Sequence, residues 1–341
     1  MTKLTSVCLL VITLLACTAS RKNTDEGKGA ADNPAQKSVL KYINSISGKR
    51  TIAGIHNREP NAEPARWTNE IFNTTGKYPG LWSGDFLFQA ENIANRKTMI
   101  DEALRQWKKG SVVNIMWHAC NPALEQPCGW DNKGVKSKLS DTQWKELLTE
   151  GTLINKRWKE MMDEVAAHLQ FLEDNGVEVL WRPLHEMNQG VFWWGGRPDP
   201  EGTRKLWQQT HDYLSKTKGL NNLIWVWDIQ DFATLKTDAV NYNPGPEYWD
   251  IAALDVYDDK SGYSAEKYNI MLQAAGDKPI AIGECQKYPT AAQLAAQPRW
   301  TFFMGWSELV FSSNSKDQLN ALIQSPNIVT LDQMPGWTKN N

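Results

Sequence analysis

Eight short apolar runs recur along this chain with room for a helix between most neighbours, and that recurrence limits the possible folds more than any other feature. The runs are Thr51–His56, Gly80–Phe86, Ser111–Trp117, Val177–Trp181, Leu223–Trp227, Ile251–Tyr257, Pro279–Gly283 and Thr301–Trp306. Most are continuously apolar, as expected of parallel strands covered on both faces, whereas a half-solvated strand would alternate. Helical patterns fall at 36–48, 93–108, 153–174, 201–217, 265–275, 291–296 and 317–322. In the third of these, Trp158, Met161, Met162, Val165, Leu169 and Leu172 recur at spacings of three and four, which marks one face packed on a sheet. Asn175-Gly176 stops that helix directly before the next apolar run. The alternation predicts an α/β chain forming a (β/α)8 TIM barrel, a single domain over 36–341. A doubly wound open sheet is the competing arrangement, and no glycine-rich phosphate fingerprint supports it.

A barrel carries its chemistry where the strands end at their C-termini. His56, Asp85, His118, His185 with Glu186, Asp228, Tyr257, Glu284 and Trp306 each end or immediately follow one of the eight runs. One such residue is ordinarily a helix cap or a solvated loop residue; so many imply a shared mouth. Glu186 and Glu284 fall on the fourth and seventh runs, which face each other across a closed barrel. Two carboxylates so placed can flank one glycosidic bond, about 5–5.5 Å apart for retention of configuration or about 6.5–9.5 Å apart for inversion. Capping combined with salt bridges to Arg182 or a lysine is the plainer alternative. The 17 tryptophans exceed what core filling requires and fit stacking on the apolar faces of sugar rings. A net charge of -2 without long basic runs argues against nucleic acid as a partner. His56, His118 and His185 lack compact metal-ligand spacing, so neither a metal nor a cofactor is expected.

The first residues read as an export signal at 1–17, with a positive start, an apolar stretch too short to span a bilayer comfortably, and Leu14-Leu-Ala-Cys17. That tetrapeptide resembles a bacterial lipobox, which implies lipidation of Cys17 and a membrane anchor. Cleavage near Ala19-Ser20 with secretion is the alternative. Thr18 after the cysteine resembles outer-membrane sorting, facing periplasm or exterior, and residues 18–35 read as a polar tether. Cys120 and Cys128 share one Pro- and Gly-containing loop of an exported chain and are expected to form a disulfide, leaving Cys285 free.

Arg182-Pro-Leu-His-Glu-Met-Asn188 with Phe192-Trp-Trp-Gly195 closely resembles the acid/base motif of glycoside hydrolase family 26, whose best-known members are β-mannanases. Asn114-Ile-Met-Trp-His118, Asp255-Val-Tyr257, Ile282-Gly-Glu284 and Phe303-Met-Gly-Trp306 follow in the family's order, so the likeness covers about residues 38–337. The resemblance implies a retaining barrel enzyme acting on β-mannan polysaccharide or manno-oligosaccharides. A few members act on β-1,3-xylan or mixed-linkage β-glucan, and a glycan-binding protein with decayed catalysis is the nonenzymatic alternative.

Carried over residue by residue, Glu186 is the acid/base, Glu284 the nucleophile, and Tyr257 the tyrosine that hydrogen-bonds the nucleophile. Arg182 is expected to keep a nearby carboxylate ionised at the substrate site. His118 and His185 are implied around the sugar at the cleavage point, which requires a bend after Pro183, because strict alternation would point His185 and Glu186 apart. Trp193 or Trp194 is expected to form a platform while the other packs, with Trp306 as the floor. Trp117 and Trp130 are weaker sugar contacts, and Trp82 is read as core. Asp85, Asn121, Asn188 and Asp228 are expected to reach sugar hydroxyls. The protein is expected to act as a monomer.

Overall fold

Every one of the eight apolar runs forms a parallel strand in the computed structural model, which describes Met1 and residues 37–337. The proposed signal, Cys17 and the tether lie outside the described residues. The strands are β1 (Thr51–His56), β2 (Leu81–Asp85), β3 (Val112–Trp117), β4 (Val179–Pro183), β5 (Leu223–Gln230), β6 (Ile251–Val256), β7 (Ile280–Cys285) and β8 (Trp300–Gly305). Neighbours pair in chain order, and β1 pairs both β8 and β2, so the sheet closes. Closure excludes the open doubly wound sheet and leaves the (β/α)8 barrel. A two-residue strand, β9 (Ile328–Val329), lies parallel to Thr51 and Ile52, covering the start of β1 that β2 leaves unpaired.

Covering helices explain the continuous apolar character of the strands. β1, β2, β3, β4, β6, β7 and β8 are buried at every position. The helix at Leu153–Asp174 buries the face read from its spacing, and Thr152 caps it by accepting from the Asn155 backbone N–H. It ends before Gly176, whose φ of 73° favours glycine. Helices at Arg66–Thr75, Asp141–Leu148, Leu235–Asn241 and Ser307–Ser313 were not anticipated. They are ten residues or shorter, which gives a periodic pattern little length in which to declare itself.

Two local irregularities aim side chains into the mouth. Leu254 pairs with Ile282 but Asp255 pairs with Glu284, so Gly283 is an extra residue that bulges β7 and brings the two acids side by side. A Cβ on Gly283 would lie 2.7 Å from Asp255 Oδ1 and 2.9 Å from Asp228 Oδ1, hence only glycine lets these carboxylates approach the strand. After Pro183, Leu184 and Glu186 adopt φ of 48° and 49°, a left-handed conformation that costs energy for non-glycine residues. This is the bend that frees His185 and Glu186 from strict alternation.

Candidate active site

Arg182 is the organising cation at the end of β4. Its Nη1 donates to Glu284 Oε1 at 2.7 Å, and its Nη2 donates to Asp228 and Asp255 from β5 and β6. The guanidinium and both aspartates are buried. Tyr257 Oη donates to the other Glu284 oxygen at 2.8 Å, so Glu284 is held at both ends. Burial pushes the Glu284 carboxyl upward, and Arg182 opposes that push.

Glu186 has a different environment. It is 6% exposed, and among the described residues its one side-chain hydrogen bond comes from Gln230 Nε2, which donates to Oε1 at 3.0 Å. Burial, then the nearby Glu284 and Asp228 charges, hold its carboxyl well above the usual range. One oxygen each of Glu186, Asp255 and Glu284 lies within 4.8 Å of the others. Three such carboxylates have the donors of a divalent-cation site, but Arg182 already bonds Asp255 and Glu284 and supplies compensating positive charge.

A second wall comes from β1 to β4. Asp85 accepts from His118 at both its backbone N–H, 3.1 Å, and its Nδ1, 2.5 Å, fixing the imidazole. The rings of His118 and His185 meet edge to face with centroids 4.4 Å apart. Burial first, then the neighbouring His118 and Arg182, holds His185 well below the usual imidazole range. His56 is pushed down to about 3 chiefly by burial. Trp306, half-buried, stacks on His56 with centroids 4.3 Å apart.

The aromatic assignments change in this structure. Trp193 and Trp194 are both buried, and their indole N–H groups donate to the Ala119 and His185 carbonyls. Neither is a platform, because adjacent indoles in this turn serve as struts between the mouth loops. Trp117 is core, stacked on Trp158, and Trp82 is core as read. Trp130 is the exposed indole, 50% accessible, stacked on Phe88 and edge-on to His118 and Phe192. Cys120 and Cys128 are bonded to each other and close the loop that leads into Trp130, while Cys285 is free and buried.

Other protein groups hold the polar candidates. Arg182 lies among the carboxylates, bonded to Glu284, and is 1% exposed. Asp85 is committed to His118, and Asp228 to Arg182. Asn121 bonds Ser137 and the Ala123 backbone within its own loop. Asn188 bonds the Gln230 backbone and Asp238. Sequence reading missed Asp255 and Gln230 as site residues. Period-two alternation from Tyr257 back to Asp255, and from Asp228 on to Gln230, carries the signal for both.

A family model described as glycosyl hydrolase family 26 matches residues 30–338. The mannan endo-1,4-β-mannosidase of Thermothelomyces thermophilus is 30% identical over 314 residues, 88% of this chain and 61% of that protein. This chain therefore spans about three fifths of that relative's length. Among solved structures, GH26A from a Muricauda species is 34% identical with a TM-score of 0.82, covering 90% of this chain and 98% of that one. A β-mannanase from a symbiotic protist of the termite Reticulitermes speratus, complexed with gluco-manno-oligosaccharide, is 26% identical with a TM-score of 0.76. It covers 89% of this chain and 98% of that one.

Proposed function

The chain belongs to glycosyl hydrolase family 26, and from that premise we propose that it is a retaining endo-β-1,4-mannanase acting on mannan, glucomannan or galactomannan. The observation that carries this reading is the pair Glu186 and Glu284, with oxygens within 4.8 Å and unequal surroundings. That separation fits a direct nucleophile better than the wider gap an inverting water needs.

Glu284, held by Arg182 and Tyr257, attacks C1 of the mannosyl unit as Glu186 gives its proton to the departing glycosidic oxygen. The C1–oxygen bond breaks and a glycosyl ester of Glu284 forms. Glu186, now a carboxylate, takes a proton from water as that water attacks C1 and the C1–oxygen bond to Glu284 breaks, releasing the sugar with its original configuration and returning Glu186 as the acid and Glu284 as the carboxylate. Trp306 underlies the reacting ring and Trp130 stacks on a more distant one. His118 and His185 bond hydroxyls beside the cleavage point.

Reducing-sugar release from glucomannan and galactomannan tests the proposal, with purified Glu186→Ala and Glu284→Ala proteins as controls. Release by the wild type, lost in both variants, is the expected result; indifference to both substitutions overturns it. A parallel panel of mixed-linkage β-glucan and β-1,3-xylan separates the other substrates. Product analysis on manno-oligosaccharides distinguishes internal from terminal attack.

The N-terminal motif supports a second proposal, that Cys17 is lipidated and ties the enzyme to the bacterial outer membrane. Labelled palmitate incorporated by wild type but not by Cys17→Ser is the expected outcome.

A further inference from the structure

Glu186 is met by one neutral donor where Glu284 is met by a cation and a phenol. That donor, Gln230, is the last residue of β5, and its amide Nε2 lies 3.0 Å from Glu186 Oε1. Its main chain is clamped from the loop that carries Glu186. The Gln230 N–H donates to Asn188 Oδ1 at 2.7 Å, and Asn188 Nδ2 donates to the Gln230 carbonyl at 2.9 Å. Asn188 also donates to Asp238 Oδ2, which accepts from Thr234 Oγ1 as well, so the clamp is itself anchored. The left-handed backbone at Glu186 sets the direction from which its carboxyl meets this amide. Among the described residues, Gln230 Oε1 has no hydrogen-bond partner, so none of them competes for the orientation of the amide.

We infer that Gln230 is a positioning residue for the proton of Glu186. By occupying Oε1 it leaves Oε2 as the oxygen that carries the transferable proton toward the leaving group. Its donation strengthens as Glu186 becomes an anion, because hydrogen bonds to ionised acceptors are the stronger class. The bond is therefore worth more in the transition state for sugar departure than in the ground state. The inference rests on Glu186 being the acid/base. The charged and titratable groups facing Glu186 are Glu284 from β7, Asp228 from β5, Arg182 from β4, Asp255 from β6, and Tyr257 just beyond β6. Of these and Gln230, only Gln230 hydrogen-bonds its carboxyl side chain, and it carries no charge.

Gln230→Met keeps the length and the backbone clamp but removes the donor. On mannohexaose its kcat/KM is expected to fall about tenfold, the scale of one hydrogen bond to a charged group. The basic limb of the pH profile, set by loss of the Glu186 proton, is expected to move to higher pH, since a donor that favours the carboxylate is gone. On a 2,4-dinitrophenyl β-mannoside, whose leaving group needs no proton, the glycosylation rate is expected to stay within about twofold. Asn188→Ala, which loosens the clamp, is expected to slow both substrates and lower Tm. Equal losses on both substrates for Gln230→Met, with an unmoved basic limb, would reduce Gln230 to packing and overturn the inference. A wild type that ignores mannan, or a Glu186→Ala protein as active as wild type, would instead overturn the acid/base assignment beneath it.

Discussion

Glu186 and Glu284 are both almost wholly buried at the same mouth, yet the groups around them differ in kind. Glu284 meets a guanidinium and a phenol, and Glu186 meets only an amide while facing the charge of Glu284. Burial disfavours the charged form of each, so burial cannot separate their roles. The partners do: at Glu284 the Arg182 charge and the Arg182 and Tyr257 hydrogen bonds oppose the rise from burial and Asp228, whereas at Glu186 the Glu284 and Asp228 charges add to it ahead of the opposing Arg182 charge. Two identical side chains thus become a base-like nucleophile and an acid through what stands beside them.

The largest test of that difference uses the leaving group. Glu284→Ala is expected to lose at least about four orders of magnitude on mannan and on a dinitrophenyl mannoside alike. Glu186→Ala is expected to lose about 10²–10⁴-fold on mannan while still forming the glycosyl-enzyme from the aryl mannoside. Pre-steady-state bursts of dinitrophenolate measure this directly, and equal behaviour of the two variants would erase the distinction.

Removing the shared cation comes next. Arg182→Leu leaves Glu284, Asp228 and Asp255 buried without their guanidinium, which is expected to cost about 3–5 kcal/mol of stability together with activity. Denaturant unfolding monitored by tryptophan fluorescence reads the loss. Tyr257→Phe is gentler: one hydrogen bond to Glu284 disappears, and kcat is expected to fall about ten- to a hundredfold. Because that bond favours ionised Glu284, the acidic limb of kcat/KM should move to higher pH, the sign opposite to a favoured proton loss.

The smallest effect is on stability. A carboxyl whose folded value lies above its unfolded one contributes its full stability at low pH and loses it as pH rises through that interval. Glu186 is such a group. Glu186→Gln, which cannot ionise, is expected to match wild type near pH 4 and to exceed its Tm by about 2–4 °C at neutral pH. Scanning calorimetry across pH checks this; a Tm difference independent of pH would show that ionisation of Glu186 is not what costs stability.

Much of this architecture was legible in the chain. All eight strands could be read, because residues covered on both faces must be apolar and their helical partners carry a 3.6-residue face. Glu186, Glu284, Tyr257 and Trp306 could be placed at the mouth because a strand end in a barrel is also a place there. The indoles were harder. Trp193 and Trp194 look like platforms in the sequence, but whether a ring faces sugar or core depends on which loop covers it, and Phe192 stacks on Trp194 here. Gln230 escaped notice because β5 runs three residues past its apolar stretch, and only the alternation from Asp228 to Gln230 marks that the strand continues.

By itself, the sequence determined the barrel, the order of its strands and which two acids oppose each other, since these follow from period and from position along a closed sheet. Tertiary structure alone decided how the acids differ. The bulge at Gly283, the left-handed turn at Glu186 and the reach of Arg182 across β4 to β7 set distances of a few ångströms between residues far apart in the chain. Electrostatic interaction depends on those distances and on burial, and neither is written in residue spacing.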